Sequence, residues 1–114
     1  PVDLSDYGKL SFEASGTGTL EVKLLKGDGT TYTTTVNLTA EAKTFTVLDT
    51  DFKNATNATT DFSSLKVINF NLLSEEGNVE AKQMSLSNVS FNKSNPLNFK
   101  FDINTSSNSI ILYA

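Results

Sequence analysis

From Lys9 to Leu25 the chain alternates apolar and polar side chains with a period of two. Leu10, Phe12 and Ala14 fall on one side of the first run, and Lys9, Ser11, Glu13 and Ser15 on the other. Beyond Gly16-Thr17-Gly18, Leu20, Val22 and Leu24 oppose Thr19, Glu21 and Lys23. A pleated strand sends successive side chains to opposite faces, so the pattern predicts two half-buried strands. The short glycine turn between them predicts an antiparallel hairpin.

The alternation continues downstream. Lys26-Gly27-Asp28-Gly29 contains the Asp-Gly pair that suits a tight turn. Thr30 to Leu38 then sets Tyr32, Thr34, Val36 and Leu38 against Thr31, Thr33, Thr35 and Asn37. Such a β-branched run fits a strand with one solvated face. After a polar break at 39–42, Lys43 to Phe52 places Phe45 and Val47 inward. Lys53 to Ser64, dense in Asn, Thr, Asp and Ser, reads as a long surface loop with a helical turn at its end. Leu65 to Leu73 carries Ile68, Phe70 and Leu72 on one side and Val67, Asn69, Asn71 and Leu73 on the other, which predicts burial on both faces.

After a turn at Ser74 to Asn78, the segment Val79 to Phe91 changes parity twice. Val79 and Ala81 give way to Met84 and Leu86, and these to Val89 and Phe91; each slip predicts a β-bulge. Leu97 to Ile103 and Ser109 to Ala114 follow, joined by a polar turn over 104–108. About eight short strands, with no helix and turn signals every 8–12 residues or so, predict an all-β fold, an antiparallel β-sandwich of jelly-roll type. Residues 1–94 form its core, and 95–114 supply two strands that complete it or lead into the next segment.

Composition narrows the classes of partner. At 114 residues the chain fits one domain. It has no Cys and no His, which removes disulfides, thiol nucleophiles and the commonest general base and transition-metal ligand. Nine Lys, no Arg and thirteen acidic residues leave a net charge of −4. A nucleic-acid binder needs a basic face to displace counterions from phosphate, and none is visible. No apolar run approaches the roughly 20 residues of a membrane span, and no amphipathic helix suits a membrane surface. The start at Pro1, without Met, fits a processed or excised piece of a longer protein.

The order of elements carries a resemblance. Asp3 to Tyr7 opening onto the first strand, Phe45 to Phe52 ending in Asp-Phe, Leu65 to Phe70, and Met84 to Phe91 together resemble the jelly-roll, galactose-binding-like carbohydrate-binding modules of bacterial glycoside hydrolases. The likeness covers residues 3–91 and is one of apolar spacing. The chain departs from the family in starting almost on the Asp-Leu-Ser motif and in having Phe45 where an aromatic, often Trp, is usual. The resemblance implies a secreted or cell-surface, non-enzymatic accessory module that binds a polysaccharide or oligosaccharide, with a catalytic domain elsewhere in the parent chain. Modules of this kind often hold a structural calcium ion, so the resemblance makes one a candidate here; no other cofactor is expected.

Sugar recognition needs flat rings for C–H faces and amides, hydroxyls or charges for the sugar hydroxyls. Tyr7, Tyr32 and Tyr113 are the candidate rings. Tyr32, flanked by Thr31, Thr33 and Thr35 and with Lys23 and Glu21 nearby, makes the candidate saccharide groove; the competing reading turns Tyr32 inward with Val36, its hydroxyl at the rim. Tyr7 is read as a packing residue. Asp3, Asp6, Asp28, Asp49 and Asp51 are the candidate calcium ligands, although none of their spacings matches an EF-hand, and as turn residues they also suit Asx caps. Paired carboxylates could serve glycoside hydrolysis only across a cleft, and nothing in the spacing singles out a raised-pKa acid. Six Asn-x-Ser/Thr sequons, at Asn37, Asn54, Asn57, Asn88, Asn92 and Asn104, are common chance products of this composition. Gly16-Thr17-Gly18 lacks the following helix of a phosphate loop. Two further readings stand beside the sugar-binding one: a spacer or adhesin domain without a ligand, and a fragment of a larger sandwich with an open sheet edge at Asp3 to Phe12.

Overall fold

The computed structural model describes residues 1–73, 84–92, 99–107 and 109–113. They form eight strands: β1 (Lys9–Gly16), β2 (Thr19–Lys26), β3 (Thr31–Asn37), β4 (Lys43–Leu48), β5 (Leu65–Leu72), β6 (Met84–Asn92), β7 (Phe99–Ser107) and β8 (Ser109–Tyr113). A 3₁₀ turn spans Asp49–Asp51. The strands build two four-stranded sheets in the orders β4-β1-β6-β7 and β3-β2-β5-β8, and every pairing is antiparallel. The result is the expected antiparallel β-sandwich.

β1 and β2 are not a hairpin. They lie in opposite sheets, so Gly16-Thr17-Gly18 carries the chain across the sandwich. Gly16 and Gly18 take φ of 149° and 99°, and the crossing is tied down by the Gly16 N–H donating to the Thr39 carbonyl and the Leu38 N–H to that of Gly18, both at 2.9 Å. Leu10, Phe12 and Ala14 thereby face Leu20, Val22 and Leu24 from the other layer, all six buried. Alternation reports which side is buried and is blind to which strand lies alongside. The Lys26 to Thr30 turn does close a hairpin, between β2 and β3, with the Lys26 N–H donating to the Thr30 carbonyl at 2.9 Å. β1, flanked by β4 and β6, is an interior strand, which overturns the open edge expected at Asp3 to Phe12.

Two chains of rings fill the interior. Phe45 stacks on Phe12 with centroids 5.6 Å apart, and Phe12 meets Phe70 of the other sheet edge-on at 5.3 Å. Phe62 touches Phe52 at 5.9 Å and Phe91 at 5.0 Å, both edge-on. Edge-to-face pairs at these distances add to what area burial alone contributes. Phe62 comes from the polar 53–64 segment, which is thus anchored in the core rather than laid over the surface. The Lys53 to Thr33 bridge, with both N–H groups donating to the opposite carbonyl, fastens the same segment to the β3 edge.

The parity slip between Leu86 and Val89 is a bulge of β6 against β1, where Asn88 and Val89 oppose Phe12 alone and Asn88 takes a φ of 54°. The earlier slip, near Ala81, lies outside the described residues. Val67, Asn69 and Asn71 are half-buried, not buried as expected, because only the flanking strands shield them. β7 runs on to Ser107, so the turn expected over 104–108 does not begin at Asn104; pairing with β6 outweighs the turn preference of Asn, Thr and Ser. β7 and β8 each take the edge of one sheet.

Candidate functional site

The outer face of the β3-β2-β5-β8 sheet gathers most of the polar chemistry expected of a sugar site. Strand register arranges it in three rows. Thr35, Glu21, Asn71 and Ser109 stand side by side across the four strands; next come Thr33, Lys23, Asn69 and Ile111; then Thr31, Leu25, Val67 and Tyr113. With strands ~4.8 Å apart, each row spans about 14 Å. Tyr113 is 76% exposed and Ile111 48%. Ser109 Oγ donates to Asn69 Oδ1 at 3.3 Å, and Lys23 Nζ stands 3.9 Å from Glu21 Oε1. One end of the sheet is therefore amide, hydroxyl and charge, and the other carries the exposed ring.

Thr31, Thr33, Thr35, Lys23 and Glu21 all belong to this face. Tyr32 does not: alternation turns it to the opposite face, where it packs half-buried against the core with Val36. The Tyr of the anticipated groove is separated from its threonines by the sheet itself. Tyr7 is likewise half-buried against the core. Three contributors lie outside the expected site: Asn69 and Asn71, expected on a buried face, and Lys66.

Lys66 reaches the surface through a bulge. Leu25 pairs with Val67 and Lys26 with Leu65, so Lys66 is the extra residue between them. Leu65 and Ile68 are both fully buried, and Lys66 and Val67 lie outward between them. The visible signal was two buried positions three apart, the same signature as Leu86 and Val89.

The carboxylates are occupied locally. The Asp3 carboxylate accepts the Ser5 N–H at 2.9 Å, and Asp28 accepts the Thr30 N–H at 3.0 Å and its hydroxyl at 2.6 Å. Asp49 accepts from the Thr50 N–H at 2.7 Å, and Asp51 reaches back to the Leu48 N–H at 2.8 Å. Among the described residues no three acidic side chains gather into a group that could hold a metal ion. Hydrogen bonds from Ser5 hold the Asp3 carboxyl below the usual carboxylate range, those from Thr30 do the same for Asp28, and those from Ser63, with Lys26 adding, for Asp61. None of these shifts runs upward, the direction a general acid needs.

On the outer face of the other sheet a shallow depression of about 210 Å³ is lined by Glu13, Ala14, Ser15, Ala42, Ser85 and Ser87. Asn88 Nδ2 donates to Glu13 Oε2 at 3.4 Å beside it, and a ladder from Thr46 through Ser11 to Asn92 continues the hydroxyl surface. Among the described residues no aromatic ring lines it. Among the described residues no helix is long and apolar enough to cross a membrane.

Fold and surface thus define an antiparallel β-sandwich with a mixed polar and aromatic outer sheet face. Comparison with protein-family models, curated proteins and solved structures finds no match to this chain.

Proposed function

We propose that this chain is a non-catalytic carbohydrate-binding module, secreted or at the cell surface, that serves a polysaccharide-degrading enzyme as an accessory domain. Its binding face is the outer side of the β3-β2-β5-β8 sheet, with Tyr113 as the stacking platform. The observation that carries this reading is the 76%-exposed Tyr113 ring at the edge of rows of amides and hydroxyls. A ring left in water at that cost in apolar exposure suits a ligand with apolar C–H faces, and Asn69, Asn71, Thr33 and Thr35 supply donors and acceptors for sugar hydroxyls. The resemblance of the strand order to galactose-binding-like modules supports the same class.

Covering about 60 Å² of one ring face at ~25 cal/mol per Å² contributes about 1.5 kcal/mol, a little over tenfold in Kd. With association costs subtracted, affinities fall in the μM to mM range. The test is titration of the chain with soluble β-glucan, mannan and galactan, alone and as Tyr113→Ala and Tyr32→Ala. Tyr113→Ala is expected to weaken binding about tenfold with its melting temperature unchanged, whereas Tyr32→Ala lowers stability and leaves the affinity of the folded protein intact. Absence of retention on every glycan at millimolar sensitivity would leave a ligand-free spacer.

A further inference from the structure

We infer that the ligand of this face is an acidic polysaccharide built from uronic acid units, and that Lys23 and Lys66 pair with its carboxylates. The inference rests on the sugar-binding reading above and adds the charge of the ligand to it.

The charge on the face runs against that of the chain. β3 and β8 contribute no charged residue to it; β2 contributes Glu21 and Lys23, and β5 contributes Lys66. The four strands set two cations against one anion on this surface in a protein whose net charge is −4. The β5 bulge is what makes it so. Without the extra residue, strict alternation from Ile68 would turn Lys66 inward, beneath the sheet. With it, the exposed ammonium emerges next to Val67, whose cross-strand partner is Tyr113. Bulges re-aim side chains in this way at binding surfaces.

Both ammonium groups are available. Lys66 enters no ion pair among the described residues, and the Lys23 contact to Glu21 is at 3.9 Å between partly exposed side chains, the weakest kind of surface pair. Lys23 faces Asn69 across the β2–β5 ladder. Because the Asn69 carbonyl oxygen takes the Ser109 hydroxyl, its NH₂ is the group left to donate to a ligand. An ammonium and an amide NH₂ side by side offer two donors to the two oxygens of a planar carboxylate. Lys66 lies three residues along β5 from Asn69 and one strand from β2, so the two lysine attachment points are about 11 Å apart. A polymer with repeated carboxylates can engage both at once.

The experiment measures affinity of the whole chain for polygalacturonate and alginate against neutral galactan and mannan, at low and high salt, for the parent, Lys23→Gln, Lys66→Gln and the double variant. The acidic polymers are expected to bind tighter, with each substitution weakening them about two- to fivefold. The double variant should fall to the neutral level, and added salt should erase the preference. Both lysines are exposed or partly exposed, so unchanged melting confirms that folding is intact. Equal, salt-independent affinity for acidic and neutral glycans would overturn the inference while the sugar-binding reading stands. No binding to any glycan would overturn both, and duplex DNA binding as tightly as the uronates would show charge attraction without sugar recognition and overturn the inference.

Discussion

Lys26 is the one charged side chain buried among the described residues, at 6% exposure, and removing its charge tests how this sandwich holds its longest polar segment. Nζ donates to the Asp61 carbonyl at 2.8 Å and to the Ser63 carbonyl, with the Asp61 carboxylate 3.6 Å away. These contacts clamp the end of the 53–64 segment onto the end of β2. The clamp also sets Phe62 against Phe52 and Phe91, and presents the Phe62 and Ser64 carbonyls to the N–H groups of Leu4 and Gly27. Lys26→Met keeps the apolar stem and roughly the volume, and removes only the ammonium. Two charge-assisted bonds of about 1.5–3 kcal/mol each are lost. Against that, the chain no longer desolvates an ammonium, and the Asp61 side chain, 53% exposed, regains water. The two carbonyls are part-buried and regain it only in part. The net expectation is a loss of about 2–4 kcal/mol, or roughly 8–16 °C in melting temperature at about 4 °C per kcal/mol for a domain of this size. Urea and thermal unfolding followed by circular dichroism read this directly, with an unchanged urea slope showing that the denatured state is the same. Lys66→Met, on an exposed ammonium, serves as the neutral control. If Lys26→Met unfolds within about 0.5 kcal/mol of the parent, the clamp is not what orders the segment.

Two further outcomes follow from local geometry. A Cβ at Gly27 would lie 2.7 Å from both Pro1 Cγ and Ser64 Oγ, whereas at Gly8 it meets nothing within 4 Å. Gly27→Ala is therefore expected to destabilise by about 1–3 kcal/mol and Gly8→Ala to be neutral or stabilising by up to about 1 kcal/mol, measured by the same urea midpoints. Acid should also destabilise the fold. Asp3, Asp28 and Asp61 bind protons more weakly folded than unfolded, so their contribution is present above the unfolded carboxylate pKa, near pH 4, and is lost as pH falls through their lower folded values. Melting temperatures from pH 6 down to pH 2 should decline below about pH 4, and Asp28→Asn should flatten part of that decline.

What could be read from the sequence, and what could not, separates along one physical line. Period-two alternation reports the face on which a side chain lies, because the pleat alone decides it. It therefore located Leu10, Phe12 and Ala14, Leu20, Val22 and Leu24, and the Leu86 to Val89 bulge correctly, and it gave the inward reading of Tyr32 that the fold bears out. It says nothing of lateral neighbours, which depend on register between distant strands. β1 and β2 have the pattern of a hairpin because two strands facing one core from opposite layers bury the same alternate positions. Lys66 could have been found, since Leu65 and Ile68 repeat the three-residue spacing already read as a bulge at Leu86 and Val89; Asn69 and Asn71 obscured it by making the other face of β5 look like a second core. Phe62 was hidden by its polar neighbours, and a single large ring in such a loop is better read as an anchor. The candidate site is the extreme case. Tyr113, Lys66, Lys23 and Asn69 come from three strands spread over most of the chain, and only the ladder from β2 through β5 to β8 makes them neighbours. A flat sheet face acquires its chemistry from register, so a one-residue slip of β5 or β8 would disperse this constellation while leaving every strand individually as amphipathic as before.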